Sequence, residues 1–215
     1  MGENIAIFGA TGSVGLVLLS QLKEKNNKLT VISRSSDRIS KLEPNIRVIK
    51  GDVTNPVAVA EAIQGQDIII CLLGSSLRDK KSLRTRGTEV IVNAMKEAGV
   101  KRIICLSAFG AGTSRKYLPW HYRFILGPLL MDRMFHDHSG QETILKNSGL
   151  DWVIIRPGHF IEGSTGTEYL HGREANSSTQ KISLTISRED LADFIVRQLE
   201  SNVYLHEAAW ISYAG

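Results

Sequence analysis

Gly9, Gly12 and Gly15 stand three residues apart, directly after the apolar run Asn4-Ile5-Ala6-Ile7-Phe8 and directly before an amphipathic stretch reaching about Lys25. That context gives the spacing chemical meaning. A first glycine permits a tight turn, a second lets backbone N–H groups approach a diphosphate, and a third lets a helix pack closely on its strand. The diphosphate then meets the positive end of the helix dipole. Gly9, Thr11, Gly12, Ser13 and Val14 are the residues expected around it. The next apolar run, Leu29–Ser33, ends on Arg34-Ser35-Ser36, with no acid before Asp37. An Asp or Glu at that point would accept the ribose hydroxyls of NAD(H) and repel a 2′-phosphate. Arg34 supplies a planar cation instead, and Ser35 and Arg38 can add donors. NADP(H) is therefore expected in preference to NAD(H).

The elements that must position these residues follow from hydrophobic periodicity. Apolar runs at Asn4–Phe8, Leu29–Ser33, Ile46–Lys50, Asp67–Leu72, Arg102–Leu106 and Trp152–Arg156 alternate with amphipathic stretches. That alternation predicts an α/β fold, a Rossmann-type doubly wound parallel sheet in a single domain over 1–215. Helices are expected from Pro56 to about Ile63, over Leu83–Ala98 with Gly99 as its stop, over Asp132–Asn147, and from a Ser187 cap to about Glu200. A last strand is expected at Ala208–Ser212. Residues 110–131 read as an insertion carrying Tyr117, Trp120, His121, Tyr122 and Phe124, and 157–185 as substrate-side loops. The aromatic group suits stacking of a planar acceptor, a docking surface or ordinary packing.

Composition narrows the function classes. A net charge of +4 without a basic stripe or a nucleic-acid-binding module argues against a nucleic-acid partner. Cys71 and Cys105 each lie inside an apolar run, the setting of buried strand thiols, so no metal is expected. The apolar stretch Phe124–Met131 is far too short to cross a bilayer. With no secretory pattern at its start, the chain is expected in the cytoplasm, without membrane contact, and its oligomeric state stays open.

The glycine turn, Gly51-Asp52-Val53, Leu72-Leu73-Gly74 and Ser107-Ala108-Phe109 resemble the atypical short-chain dehydrogenase/reductases with an NmrA-like NAD(P)H-binding domain, in particular the biliverdin reductase B (flavin reductase) branch. The likeness extends to Gly65-Gln-Asp67, Ala94-Met-Lys96, Asp137-His138, Ser148-Gly-Leu150 and Pro157-Gly-His159, where that branch has Pro-Pro-His. The resemblance implies that Asp52 and Val53 flank the adenine, and that Leu73 and Gly74 lie along the ribose and diphosphate. It places Ser107, His138 and Pro157, Gly158, His159 and Phe160 around the nicotinamide.

Ser107, His159 and His138 are thus the candidate catalytic residues. Ser107 either orients the carboxamide or acceptor, or ties down its strand end. His159 either donates a proton, its ordinary pKa being near neutrality, or leaves binding to the Pro157–Phe160 backbone. His138 either takes part in the chemistry or merely bonds the Ser107 loop. A Tyr-x-x-x-Lys pair is absent: four residues after Tyr117, Tyr122 and Tyr169 stand His121, Leu126 and Arg173. Alcohol dehydrogenation through such a dyad is not expected, nor nucleotide-sugar epimerisation or dehydration. Two readings remain. One is an NADPH-dependent reductase of a planar small-molecule acceptor such as a flavin, quinone or tetrapyrrole, the cofactor carrying the hard chemistry. The other is a non-catalytic NADP(H) sensor.

Overall fold

The computed structural model describes residues 2–34, 46–74, 82–118, 132–163, 168–173 and 181–215. Its six long parallel strands are β1 (Asn4–Phe8), β2 (Lys28–Ser33), β3 (Arg47–Lys50), β4 (Ile68–Cys71), β5 (Arg102–Leu106) and β6 (Asp151–Pro157). Three-residue strands β7 (His159–Ile161), β8 (Leu170–Gly172) and β9 (Thr185–Ser187) follow, then β10 (Glu207–Ser212). The helices are α1 (Ser13–Lys23), α2 (Pro56–Ile63), α3 (Leu83–Ala98), α4 (Asp132–Lys146) and α5 (Arg188–Glu200), with a 3-10 turn at Gly112–Tyr117.

The main sheet runs β3-β2-β1-β4-β5-β6-β10-β8, and only the β10–β8 pairing is antiparallel. From β3 to β6 this is the doubly wound Rossmann order expected from the sequence. Because strand side chains alternate, Ile5 and Ile7 of β1 enter the core under α1 and α5, while Ala6 and Phe8 enter the core under α2, α3 and α4. Both faces are covered, which is why the strands read as continuous apolar runs. The pair β7–β9, parallel and separate from the main sheet, lies in the region expected as loops.

Helix ends follow local chemistry. Pro56 opens α2, and the Asn55 side chain accepts from the N–H groups of Val57 and Ala58. Gly99, at φ 73°, closes α3, and Ser187 caps α5 by accepting from Asp190 N at 3.0 Å. The start of α3 differs, because Ser82 makes no side-chain cap. Asp137 of α4 caps it from outside, accepting from Arg84 N at 3.2 Å, Thr85 N at 2.9 Å and Thr85 Oγ1 at 2.8 Å. Gly140 permits this approach, since a Cβ there would lie 2.5 Å from Thr85 Oγ1. The clamp fixes which face of α4 turns inward.

Candidate functional site

The glycine loop has the geometry its spacing predicts. Gly9 adopts φ +90°, and a Cβ on it would meet the Leu72 carbonyl oxygen at 2.4 Å. At Gly15 a Cβ would lie 2.6 Å from Ala10 backbone atoms, so only glycine lets α1 pack on its own loop. Gly12 is the N-cap of α1, whose first turn holds no acid and receives no side-chain cap. Its leading N–H groups are thus left for an anionic ligand.

A cleft of about 730 Å³ runs from this loop along the carboxyl edge of the sheet. Gly9, Thr11, Gly12, Ser13 and Val14 line it, as do Arg34, Asp52 and Val53 after β2 and β3, and Leu73 and Gly74 after β4. Ser107 after β5, His138 of α4, Pro157 at the end of β6, and Gly158, His159 and Phe160 beyond it line it too. The expected site residues therefore share one cleft, except Ser35 and Arg38, which lie outside the described residues. Most of the expected aromatic insertion also lies outside them. Tyr117 is described and packs beside the small cluster of Phe109, Leu118, Phe135 and Trp210.

Ser107 is 4% exposed and ends in a buried polar network that sequence reasoning missed. Its hydroxyl donates to Glu142 Oε1 at 2.8 Å. Arg156 grips both oxygens of the same carboxylate through Nε and Nη2, and Lys146 Nζ lies 3.2 Å from Oε2. Burial alone would raise the Glu142 pKa. The Arg156 bonds and charge, then Lys146 and Ser107, outweigh burial and hold it below the ordinary carboxylate value. Glu142 is thus an anion, and the proton between it and Ser107 belongs to Ser107. Ser107 can offer a ligand only lone pairs.

His138 lies mid-helix in α4, 5% exposed, with Nδ1 3.5 Å from Ser107 Oγ. Burial first, then the Arg84 cation, lowers its pKa to about 3. The ring is neutral at physiological pH and holds no acidic proton to give. Asp52 accepts from Thr54 N at 2.9 Å and Thr54 Oγ1 at 2.7 Å. Those bonds lower its pKa, and the Arg34 and Arg86 charges do so further.

At the far end, Gly158 is forced: a Cβ would meet the Leu184 carbonyl oxygen at 2.1 Å. His159 N donates to that same oxygen at 2.7 Å, which ties β7 against the end of the cleft. Phe160 is 40% exposed with the Arg188 guanidinium 5.4 Å above its ring. Phe109, Leu118, Met134, Phe135, Phe160 and Leu184 give this end an apolar lining. Among the described residues no group of histidine, cysteine, aspartate or glutamate could hold a metal ion. Nor is any described helix long and apolar enough to cross a membrane.

The residues that sequence reasoning missed carried two signals. Arg156 interrupts the apolar run of β6 and, if buried, demands an anion. His138 and Glu142 are four apart on one helix and so share a face.

Comparison with known proteins agrees with this geometry. The family described as NAD(P)H-binding matches residues 9–202. The UPF0659 protein YMR090W of Saccharomyces cerevisiae is 29% identical over 204 residues, covering 91% of this chain and 86% of the yeast protein. Among solved structures, a short-chain dehydrogenase/reductase from Veillonella parvula in complex with NADP superposes with a TM-score of 0.81 at 18% identity, covering 100% of this chain and 96% of its own. ChuY, an anaerobilin reductase from Escherichia coli O157:H7, gives 0.80 at 20% identity, covering 97% and 96%. These structural likenesses show a shared fold.

Proposed function

The chain belongs to the NAD(P)H-binding family, and from that premise we propose that it transfers hydride from NADPH to a planar conjugated acceptor. One observation carries this reading. A single cleft joins the anion-ready start of α1 to an apolar end lined by Phe109, Leu118, Met134 and Phe160. The cofactor's diphosphate lies on Gly9–Val14, its adenine beside Asp52 and Val53, and its nicotinamide beside Ser107, His138 and the Pro157–Phe160 loop. When bound, NADPH supplies the hydride, and the protein positions the acceptor against it. Ser107 accepts a hydrogen bond from the carboxamide, His138 supports Ser107, and the acceptor's proton comes from water or His159. A flavin, quinone or tetrapyrrole meets those requirements, and the likeness to an anaerobilin reductase favours the last.

The preference for NADP(H) rests on charge. Arg34 and Arg86 both act on the carboxylate of Asp52, which puts two cations near the place of a 2′-phosphate. Ser35 and Arg38, which the sequence offers as further donors, lie outside the described residues. The test is loss of NADPH absorbance with riboflavin, FMN, quinones and biliverdin in turn. Turnover of at least one is expected, and it should fall in Ser107→Ala at saturating NADPH, with NADPH binding weakened by no more than about tenfold. Tight NADPH binding without turnover across that panel overturns the reductase. It would establish the second reading, a non-catalytic NADP(H) sensor, which the neutral His138 and the committed Ser107 proton also suit.

A further inference from the structure

A second, smaller cavity of about 100 Å³ lies beside the cleft, and Phe109 lines both. Its other walls come from Thr113, Lys116 and Tyr117 of the 3-10 turn, Arg156 of β6, Trp210 of β10, and Arg173 just after β8. Three cations from three separate elements thus line a space with room for about three waters, and no carboxylate among the described residues lines it. Two acids among the described residues stand behind the cations. Glu142 is held by Arg156 and Lys146, and Glu207 lies 3.7 Å from Arg173 Nε.

Arg156 is the least ordinary of these groups, because it is only 3% exposed. Nε and Nη2 serve Glu142, and Nη1 donates to Thr113 Oγ1 at 3.1 Å. A guanidinium has five N–H donors, so Nη1 and Nη2 each keep one beyond these bonds. Thr113, having accepted from Arg156, keeps its hydroxyl proton to donate. Lys116 lies 4.8 Å over the Tyr117 ring, and Arg173 donates to the Val203 carbonyl at 2.7 Å. Aromatic walls around paired N–H donors and three lining cations suit a compact oxyanion.

The geometry points to an oxyanion subsite beside the reaction cleft, one that takes a carboxylate or phosphate group, either free or carried by the acceptor. The acceptor form rests on the reductase reading above; the free-ion form does not. On the acceptor form, the substrate has a planar ring system over the nicotinamide and an acidic arm reaching past Phe109. Pairing with Arg156, Lys116 and Arg173 then selects acidic acceptors over neutral ones of the same ring.

Two measurements test it, using wild type and the double variant Lys116→Gln/Arg173→Gln, whose side chains sit at the cavity's exposed rim. In the first, thermal unfolding is followed against acetate, phosphate and sulfate at constant ionic strength. A saturable rise in Tm is expected for wild type, roughly 5–10 °C at a hundredfold excess over the dissociation constant, and its loss in the variant. In the second, kcat/KM is compared for acidic and neutral acceptors of one ring type. A wild-type preference of about tenfold that collapses in the variant supports the subsite with the acceptor as its source. Anion stabilisation lost in the variant, without acceptor preference, supports it with a free ion as its source. No stabilisation and no preference in wild type, or responses equal in both proteins, overturn it. If no acceptor turns over, the reductase fails, while the unfolding measurement still decides the subsite.

Discussion

With its proton bonded to Glu142, Ser107 can recognise a ligand N–H but cannot polarise a carbonyl. This separates two otherwise similar roles. Ser107→Ala should weaken NADP+ binding roughly two- to tenfold, the worth of one net hydrogen bond. It should leave the acetylpyridine analogue of NADP+ unaffected, because a methyl group replaces the carboxamide nitrogen there. Equal losses for both, measured by calorimetry, would show that Ser107 acts elsewhere. At the other end of the cleft, Arg34→Ala should cost NADP+ about 1.5–3 kcal/mol relative to NAD+, or roughly ten- to a hundredfold. An unchanged ratio of dissociation constants would refute the charge argument. His138 gives a third expectation. Its native pKa of about 3 lies below the unfolded value of 6.5, so between those values only the unfolded chain binds the proton. The stability it contributes is therefore complete above pH 6.5 and drains away as pH falls toward 3. From pH 7 to 5 the loss is about 2 kcal/mol. Denaturant unfolding of His138→Gln should show a flatter pH slope, with a remainder from His171, whose pKa burial also lowers.

Elements differ in how much of their role the sequence displays. Strands β1, β4, β5 and β6 are legible because two-sided burial writes an unbroken apolar run, and α1 because a glycine turn precedes it. Helix α4 is not. Its buried face includes Phe135, Asp137, His138, Gln141, Glu142 and Leu145, so polar residues occupy positions where periodicity looks for apolar ones. Apart from Lys146, one turn on from Glu142, their partners are distant in sequence: Thr85, Thr88, Ser107 and Arg156. A buried cation in β6 and the spacing of His138 and Glu142 hint at the network, but no local signal names the partners. Short strands suit the segment around 161–185, but the bounds and pairing of β7 and β9 are illegible, since three-residue strands are too short for a period. Asp137 makes the element-scale prediction. It caps α3 from α4 and pairs with Arg84, which is 7% exposed. Asp137→Ala would leave two helix N–H groups and a buried guanidinium without it, costing about 3 kcal/mol in chemical denaturation. A loss below about 1 kcal/mol, the scale of an ordinary surface change, would mean the two helices do not depend on this clamp.

At the scale of the whole molecule, the cleft lies where the sheet changes direction. From β1 the chain builds outward through β2 and β3, then returns to place β4, β5 and β6 on the other side. Crossovers diverge there, and loops from both halves can reach one ligand. The halves bring different chemistry: Gly12, Arg34 and Asp52 from the first, Ser107 and Pro157–Phe160 from the second. A dinucleotide long enough to touch both should therefore tie them together, whereas a fragment should not. Amide hydrogen exchange can resolve this. Saturating NADP+ should slow exchange at the start of α1 and also across Pro157–Ile161 and Thr185–Ser187, where β7 and β9 pair. Saturating 2′,5′-ADP should protect the start of α1 alone. Protection of β7 and β9 by the fragment would mean that coupling travels through the sheet and not through the bound nucleotide, and the nicotinamide would have to be placed somewhere other than beside Ser107.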